Sequence, residues 1–412
     1  MNRMFQVASM IVLVTTLLAP AVAVRAADKT ETDPDKSFFP IMAWNHPPSD
    51  PAALKKMREC GITVAGFATV AQLDAVHAAG MKAIVSDARV GGYGDWSKVD
   101  PAEARKKVTE LVKEVNHHPA VFGYYLRDEP PAAMFAGLET VASVVRELAP
   151  GKWPYINLFP LVAEPWQLGT KDYDEYVAKF VATCKPPILS YDHYAIFDDG
   201  SLGPKYFQNL EVMRAAALKH KVPFWNIVLA NAHFRYRAPS AADFHFHAYT
   251  TLAYGGRGIS YFTYLAPAVG NYRMAPIDQF GNETPTWHHM RNINNQILKL
   301  APTILKLRSD EVYHFGTIPA GCKGPSATSL LTGLEHDQEH FFAGDFTHED
   351  GSRWVMIVNR NVTTSFPAAP KFRTPAKKVR MLSPYTGELV AHEGEQVWVQ
   401  PGGGALLRID QE

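Results

Sequence analysis

Short apolar runs alternate with amphipathic stretches along residues 37–305. The apolar runs are rich in β-branched and aromatic residues, which is typical of parallel strands buried on both faces. The stretches between them repeat apolar residues at helical spacing, and one of them follows the helix-start pattern Asp100-Pro101. The strands are predicted at residues 39–44, 63–67, 82–87, 121–126, 154–159, 187–191, 223–229 and 259–264.

Eight strands that alternate with helices predict a closed parallel barrel ringed by helices, the (β/α)₈ or TIM-barrel architecture, over residues 37–305. The length of this region fits the ~250 residues that are typical of the fold. A doubly wound open sheet is the alternative. Its dinucleotide-binding form is disfavoured, because no Gly-x-Gly-x-x-Gly motif follows the first predicted strand.

The pattern changes near Arg308, where short alternating runs separated by turn motifs such as Pro401-Gly402-Gly403-Gly404 replace the helical periodicity. Strands are predicted there at residues 329–334, 340–346, 354–359, 378–382, 396–399 and 405–409. Several short strands with little helical periodicity are typical of an antiparallel β-sandwich. The predicted fold class is therefore α/β, a TIM barrel followed by a small C-terminal antiparallel β-sandwich at residues 306–412.

The first residues have the composition of a secretory signal peptide. Arg3 supplies a short positive region, residues 10–19 are apolar, and Val24-Arg25-Ala26 offers small residues to a signal peptidase. We predict a signal peptide at residues 1–26 and a polar linker at 27–36. The alternative is an uncleaved N-terminal anchor. The expected location is secreted or periplasmic, with no membrane contact once the signal peptide is removed.

Composition excludes several classes of protein. The 412 residues carry a formal net charge of +0, which argues against a protein built around nucleic-acid phosphates. The 47% hydrophobic content is too high for a disordered chain. Cys60, Cys184 and Cys322 lie far apart, so they offer no metal-binding spacing and form at most one disulfide. We expect no cofactor and no nucleic-acid partner.

Polar and aromatic residues collect where the predicted barrel strands end, which is the edge at which TIM barrels carry their function. Aromatic faces stack on the apolar faces of sugar rings, and amides and carboxylates bind hydroxyl groups, so this composition suits a carbohydrate. We predict carbohydrate contacts from Trp44, His46, Asp87, Tyr125, Asn157, His193, Tyr194, Trp225, Asn231 and Tyr264.

The fourth predicted strand runs directly into Asp128-Glu129-Pro130. Buried charge is costly without compensation, so two carboxylates at this point need a reason. Glu129 suits a general acid, a carboxyl whose raised pKa lets it protonate a leaving oxygen. The alternative is that these acids cap the following helix. Asp128 suits such a cap or a supporting role beside Glu129.

The stretch 123–130 resembles the fourth-strand signature of barrel glycosidases, in which an Asn-Glu-Pro or Asp-Glu-Pro carries the acid/base Glu. The resemblance continues through Tyr254-Gly255-Gly256-Arg257-Gly258 and through Thr284-Pro285-Thr286-Trp287. This order is similar to the β-galactosidases of glycoside hydrolase family 42 and to agarase-like barrels, which also carry β-sandwich domains after the barrel. The resemblance implies that Glu129 has the acid/base role.

The chain departs from that group at the seventh strand. Retaining members place a nucleophilic Glu there, whereas residues 222–233 contain no acid. By position, Asp192 is the first candidate for a second carboxylate and Asp87 the second. Asp192 as a base implies an inverting enzyme with carboxyls roughly 6.5–9.5 Å apart, and Asp192 as a nucleophile implies about 5–5.5 Å. The remaining alternative is that Asp192 only orients His193 or a substrate hydroxyl.

Other catalytic chemistries have weaker support. His245 and His247 fall within a predicted helix over residues 241–254, where they point to different faces, so no metal site is expected. No Gly-x-Ser-x-Gly motif occurs. The sequence therefore predicts an exported glycoside hydrolase that acts on a carbohydrate, with Glu129, Asp192 and Asp128 as catalytic residues. The alternatives are a non-catalytic glycan-binding barrel and a polysaccharide lyase that uses Tyr or His as its base.

Overall fold

A computed structural model describes residues 38–410, so the predicted signal peptide and linker lie outside the described residues. Eight parallel strands pair in chain order, and the first pairs with the eighth to close a barrel. This confirms the predicted TIM barrel. Its strands are β1 (Ile41–Ala43), β2 (Val64–Ala68), β3 (Lys82–Val85), β4 (Val121–Asp128), β5 (Trp153–Leu158), β6 (Leu189–Asp192), β7 (Phe224–Leu229) and β8 (Ile259–Phe262).

Helices surround the barrel, and several begin as their sequences predict. Asp100 accepts a hydrogen bond from the Glu103 backbone N–H at 2.7 Å, directly before a proline at the first helical position. The helices are α1 (Pro51–Glu59), α2 (Leu73–Ala78), α3 (Ala88–Gly91), α4 (Pro101–Val115), α5 (Phe135–Leu148), α6 (Pro165–Leu168), α7 (Tyr173–Cys184), α8 (Tyr206–His220), α9 (Ala241–Ala253) and α10 (Pro285–Ile304).

Residues along each barrel strand alternate between two buried environments. In β1, Ile41 and Ala43 pack towards the helices, whereas Met42 packs inside the barrel. Trp225 and Ile227 of β7 also face the interior. Because both faces of these strands are buried, the strands read as continuous apolar runs, and for this reason their positions could be predicted.

The C-terminal part is an antiparallel β-sandwich, as predicted. Its main sheet has six strands, and two two-stranded sheets lie beside it. The first strand was not predicted, because polar residues that include the buried Ser309 and Glu311 interrupt its apolar pattern. The strands are β9 (Leu307–His314), β10 (Leu331–Leu334), β11 (Phe341–His348), β12 (Arg353–Asn359), β13 (Phe366–Pro367), β14 (Pro370–Phe372), β15 (Lys378–Leu382), β16 (Leu389–Ala391), β17 (Trp398–Val399) and β18 (Gly404–Asp410).

The six-stranded sheet contributes to two cores. Phe342 and Phe346 of β11 belong to the same core as the residues between barrel and helices, and the sheet contacts α9 on this side. Phe341 and Ala343 of the same strand pack in the separate core of the sandwich. The sandwich is therefore packed onto the barrel by one face of its main sheet.

Two further observations concern the part of the chain that is described. Cys60, Cys184 and Cys322 are free thiols. Among residues 38–410, no helix is both long enough and apolar enough to cross a membrane.

Candidate active site at the carboxyl ends of the barrel strands

The register of three neighbouring strands aligns polar residues in a row. Asp128 of β4 pairs with Asn157 of β5, and Asn157 pairs with Ser190 of β6. The pairing of β4 with β5 shifts between Tyr125 and Arg127. A shift of one residue exchanges the two faces of a strand, so this irregularity turns Asp128 to the same side as Asn157.

Asn157 is fully buried and joins two of the carboxylates. Its Nδ2 donates to Asp128 Oδ1 at 3.0 Å and to Asp192 Oδ1 at 2.9 Å. Its Oδ1 accepts from Ser190 Oγ at 2.8 Å, and Tyr155 OH lies 2.8 Å from the same hydroxyl oxygen. Because Ser190 gives its proton to Asn157, Tyr155 is the donor to Ser190. This chain fixes which end of the Asn157 amide faces the carboxylates.

Glu129 follows β4 with a backbone φ of 41°, in the left-handed region that a residue with a side chain adopts only at a cost. Its N–H donates to the Asn157 carbonyl oxygen at 2.9 Å, which holds this turn in place. The first helical turn after β4 begins at Ala132, with Pro131 at the N-cap position, and no side-chain hydrogen bond caps it. The alternative that Asp128 or Glu129 caps this helix is therefore wrong.

Glu129 and Asp192 are both tied to Asn157, whose carbonyl oxygen accepts from the Glu129 N–H at 2.9 Å and whose Nδ2 donates to Asp192 at 2.9 Å. Burial, together with the charges of Asp192 and Asp128, raises the pKa of Glu129 far above its usual range. Burial and the charge of Asp128 also raise the pKa of Asp192, although less, because the Asn157 amide donates to its ionised form. Of the two carboxyls, Glu129 therefore binds a proton more tightly than Asp192 does.

Aromatic rings form a wall beside Asp192. Tyr194 stacks on Phe262 with ring centroids 5.9 Å apart, and it meets His233 and Tyr236 edge to face at 5.6 and 5.5 Å. His233 in turn stacks on Tyr272 at 5.3 Å. We call these five residues the aromatic wall. Tyr194 lies two residues after Asp192, and burial raises its pKa, reinforced by the negative charges of Asp192, Asp128 and Glu129.

Only Tyr194 of the aromatic wall was predicted as a site residue. Tyr236 and Tyr272 lie in long loops after β7 and β8, where neither apolar periodicity nor a motif gives a signal. The sequence 231–236, which combines an amide with His233 and two aromatic residues at a predicted strand end, was the signal that could have identified His233.

Other predicted contact residues lie around the first strands. Trp44 and Tyr125 meet with ring centroids 6.1 Å apart, and Trp44 is almost fully buried in the barrel interior. Tyr125 is partly exposed. His46 is exposed, and its Nδ1 lies 2.7 Å from the Phe67 carbonyl oxygen, so this ring is anchored at the rim.

Four further predicted contact residues are buried in the structure. Trp225 has no exposed area and packs in the barrel interior. Tyr264 is buried and accepts a hydrogen bond from Trp287 Nε1 at 3.1 Å. Asn231 is buried and donates to Thr263 Oγ1 at 3.2 Å. Because these three side chains are buried, the structure does not support their assignment as carbohydrate contacts.

His193 is the fourth of these residues. It is buried, and its Nδ1 donates at 2.9 Å to Asn209 Oδ1, which also accepts from the Leu161 N–H at 2.8 Å. Burial lowers the pKa of His193, so the ring is neutral. It therefore ties three segments together beneath the rim, and its assignment as a carbohydrate contact is also not supported.

Asp87 is not a second catalytic carboxylate. Both of its oxygens are bound by the Arg89 guanidinium, at 2.9 and 2.8 Å, and it also accepts from the Arg89 N–H. The hydrogen bonds from Arg89 lower the pKa of Asp87, so it stays ionised and paired. The assignment to substrate binding is replaced by a helix-capping role at the start of α3.

Two histidines of α9 bear on the possibility of a metal site. His245 and His247 lie in α9, as predicted, and both are buried. His245 Nδ1 donates to the Ala241 carbonyl oxygen at 2.6 Å. Within residues 38–410, no group of three or more His, Cys, Asp or Glu side chains is arranged to hold a metal ion.

No protein-family model matches the sequence, and no curated protein matches it. The structure is similar to solved structures. One is described as a glycoside hydrolase, with 12% identity, a TM-score of 0.58 and coverage of 91% of this chain and 93% of that chain. Another is a glycoside hydrolase family 5 protein from Bacteroides vulgatus, with 12% identity, a TM-score of 0.58 and coverage of 91% and 90%.

A β-galactosidase from the psychrophilic Marinomonas ef1 is also similar, with 12% identity and a TM-score of 0.49. The match covers 64% of this chain and 60% of that chain, so this protein spans less than two thirds of its length. The two fuller matches extend over both the barrel and the sandwich. They show that this chain shares its overall fold, a (β/α)₈ barrel followed by a β-sandwich, with these two proteins.

Proposed function

We propose that the protein is an exported glycoside hydrolase that cleaves O-glycosidic bonds in an oligo- or polysaccharide. The observation that carries this proposal is the carboxyl cluster at the barrel mouth, in which Asn157 binds both Asp128 and Asp192 and the pKa of Glu129 is raised above that of Asp192. Neighbouring carboxyls with different proton affinities are the groups that glycoside hydrolysis requires. The fold shared with glycoside hydrolases agrees with it but does not by itself carry a function.

The separation of the two carboxyls decides between the two possible mechanisms. An inverting enzyme needs a separation of roughly 6.5–9.5 Å, so that a water molecule fits between its carboxyls and the sugar. A retaining enzyme needs about 5–5.5 Å, so that the second carboxylate reaches the anomeric carbon. We propose retention of configuration with Asp192 as the nucleophile, because Asn157 donates to this carboxylate and holds it at the rim.

In this mechanism Glu129 gives its proton to the glycosidic oxygen while the bond from that oxygen to the anomeric carbon breaks. An oxygen of Asp192 forms an ester with the anomeric carbon. Ionised Glu129 then takes a proton from a water molecule, whose oxygen attacks the anomeric carbon as the ester breaks. Both carboxyls return to their starting protonation states, and the net change is the addition of one water across the glycosidic bond.

Asp128 and Asn157 affect the pKa values of Glu129 and Asp192. The Asn157 amide donates to Asp192 and so keeps it ionised and oriented. The charge of Asp128 raises the pKa of Glu129 and so keeps the acid protonated. The aromatic wall offers ring faces beside Asp192, which suit the apolar face of a sugar held next to the nucleophile.

The test is the variant Glu129→Gln, which keeps the shape of the side chain and removes the acid. General acid catalysis contributes about 10²–10⁴-fold, so kcat on a polysaccharide should fall by that factor, and by less on an aryl glycoside with a good leaving group. Glu110→Gln, an exposed change on α4, is the matched control. Full activity of Glu129→Gln would contradict the assignment, and NMR of the first released anomer distinguishes retention from inversion.

A non-catalytic glycan-binding barrel is the second candidate. It is favoured by one observation: β7 ends at Leu229 and is followed by Ala230 and Asn231, with no carboxylate at this position of the rim. Folded protein that binds glycans on an array but releases no product on chromatography would support it. A product that absorbs in the ultraviolet would instead identify a lyase.

A further inference from the structure

The exposed apolar side chains are concentrated on one part of the barrel mouth. Residues 38–410 expose eleven large apolar side chains, and seven of them lie between the carboxyl ends of β5–β8 and the long helices that follow. In the described chain, none follows β1–β4 in the same way. The seven are Val162, Trp166, Leu202, Phe234, Val269, Met274 and Phe280. Apolar surface gathered at one place indicates a contact with a ligand or partner.

Trp166 is 82% exposed, yet its backbone is held firmly. It lies in α6, whose N-terminus is closed by a reciprocal pair of hydrogen bonds between Glu164 and Gln167 and by Pro165 at the first helical position. The helix ends at Gly169, whose φ of 69° suits a residue without a side chain. The indole is therefore presented to solvent from a fixed turn.

This turn lies beside the candidate active site. Gly169 packs against Pro131 and Ala132, which lie two and three residues after Glu129 in the chain. Leu161, at the start of the same segment, is bound to Asn209, which also holds His193 next to Asp192. Trp166 is thus placed on the rim next to both carboxyl-bearing strands.

Phe234 is placed in a similar way by the loop after β7. It is 74% exposed, and its N–H and carbonyl oxygen bind the Asn271 side chain at 2.9 and 3.2 Å. Its ring lies 5.1 Å from His233, and His233 contacts Tyr194 of the aromatic wall. Phe234 therefore extends the wall outward from the carboxyl pair to the open rim.

We propose that Trp166 and Phe234 are platforms for sugar units of a glycan chain that extends beyond the carboxyl pair, so that the substrate is a polysaccharide rather than a small glycoside. This inference rests on the proposed function. The contacts that anchor α6 and the β7 loop run to the segments that carry Glu129 and Asp192. A glycan chain bound at these carboxyls would therefore continue onto both rings. Flat rings presented from fixed backbone suit the repeated apolar faces of a sugar chain.

The test compares two substrates in the full mature protein. The measured quantity is the ratio of two values of kcat/KM, one on the hydrolysed polysaccharide and one on the nitrophenyl glycoside of the same sugar. Trp166→Ala and Phe234→Ala should each lower this ratio by about tenfold, because one lost aromatic contact is worth roughly one such factor. Trp398→Ala is the matched control, because Trp398 is also exposed but lies on β17 in the sandwich. An unchanged ratio in both rim variants overturns the proposal.

A binding measurement separates this proposal from the proposed function. Wild-type protein, Trp166→Ala and Trp398→Ala are run in native gels that contain mixed-linkage β-glucan, galactomannan, arabinoxylan or agarose. Retardation of the wild type and Trp398→Ala but not of Trp166→Ala supports the platform even if no hydrolysis is found. Equal retardation of all three, or no retardation in any gel, overturns the platform whatever Glu129→Gln shows.

Discussion

A single amide nitrogen binds two members of the carboxyl cluster. Asn157 Nδ2 has two hydrogens, and both are used, one on Asp128 and one on Asp192. Asn157 Oδ1 is occupied by Ser190, so the amide cannot rotate to face the carboxylates with its oxygen without losing three hydrogen bonds. The position of Asp192 and its charge therefore depend on a residue that does not itself react.

The variant Asn157→Ala tests this dependence. Removing a donor to an ionised carboxylate raises its pKa, so the pKa of Asp192 should rise further. Since the mechanism needs Asp192 ionised, the acid limb of the kcat/KM profile should move to higher pH, with at least about a tenfold loss below it. The measurement is the pH dependence of kcat/KM on an aryl glycoside.

Asn295→Ala, an exposed change on α10, is the matched control and should leave the profile in place. A uniform loss of activity at every pH, with no movement of the acid limb, would instead assign Asn157 a purely structural role.

Candidate site residues could be predicted only where their position at the end of a strand determines that the side chain lies at the rim. Glu129, Asp192 and Asn157 stand at the carboxyl ends of strands, and a parallel barrel brings those ends to one rim. Trp225 also stands on a strand, but whether its ring lies below or above the rim depends on the barrel's register and packing. Asp87 is different, since a guanidinium two residues further on already offered it a partner.

The helices owe their positions to close contacts that periodicity does not reveal. Gly137 lies in the buried face of α5, where a Cβ atom would overlap the carbonyl oxygen of Trp96. Glycine within a helix costs about 1 kcal/mol relative to alanine, so its presence here reflects the approach of the segment that holds Trp96. The amphipathic pattern predicts α5, whereas this spacing follows only from the three-dimensional packing.

Gly137→Ala is therefore expected to destabilise the protein, although the same change in an exposed helix would stabilise it. The overlap with backbone must be relieved by shifting α5 or the Trp96 turn, which typically costs about 1–3 kcal/mol. Urea unfolding measures this as a lower midpoint. Gly94→Ala is the control, since nothing lies within 4 Å of its added methyl group. Equal midpoints for the two variants would show that the helix adjusts without cost.

The strands of the sandwich were predicted less completely than those of the barrel for a physical reason. Strand β11 has both faces buried and, apart from Asp345, its buried positions carry apolar residues or glycine on both sides. The strand β9 instead buries Glu311, which is held by hydroxyl groups of Ser326 and Ser329, and a buried polar residue with partners breaks the apolar pattern. Such partners come from distant parts of the chain.

The barrel and sandwich are expected to unfold together. Neighbouring residues of β11 belong to the barrel-side core and to the sandwich core, and Gly344 on that strand approaches the end of α9 so closely that a Cβ would overlap the Ala253 carbonyl oxygen. Loosening the sheet therefore exposes apolar surface of the barrel as well. A change that destabilises the sandwich should therefore lower the melting temperature of barrel and sandwich together, in a single transition.

The carboxyl of Asp345 in β11 provides such a destabilisation. It is buried, accepts from the Leu330 N–H at 2.7 Å and from Tyr313 OH at 2.8 Å, and is faced by Glu311 and Arg353. Burial outweighs the two hydrogen bonds and raises the pKa of Asp345 to about 7. The unfolded chain has a pKa near 3.9, so the folded state binds this proton more tightly.

The contribution of Asp345 to stability is thus fully present below about pH 4 and is lost as the pH rises through about 7, by about 4 kcal/mol at the most. Glu129 and Asp192 also titrate with raised pKa values, so the measured quantity is the difference between wild type and Asp345→Asn, which keeps a neutral group of the same shape. Calorimetry should show one transition whose midpoint falls between pH 5 and pH 8 more steeply in the wild type than in the variant. Parallel pH profiles would mean that Asp345 is ionised in the folded protein, and a second transition would mean that sandwich and barrel unfold separately.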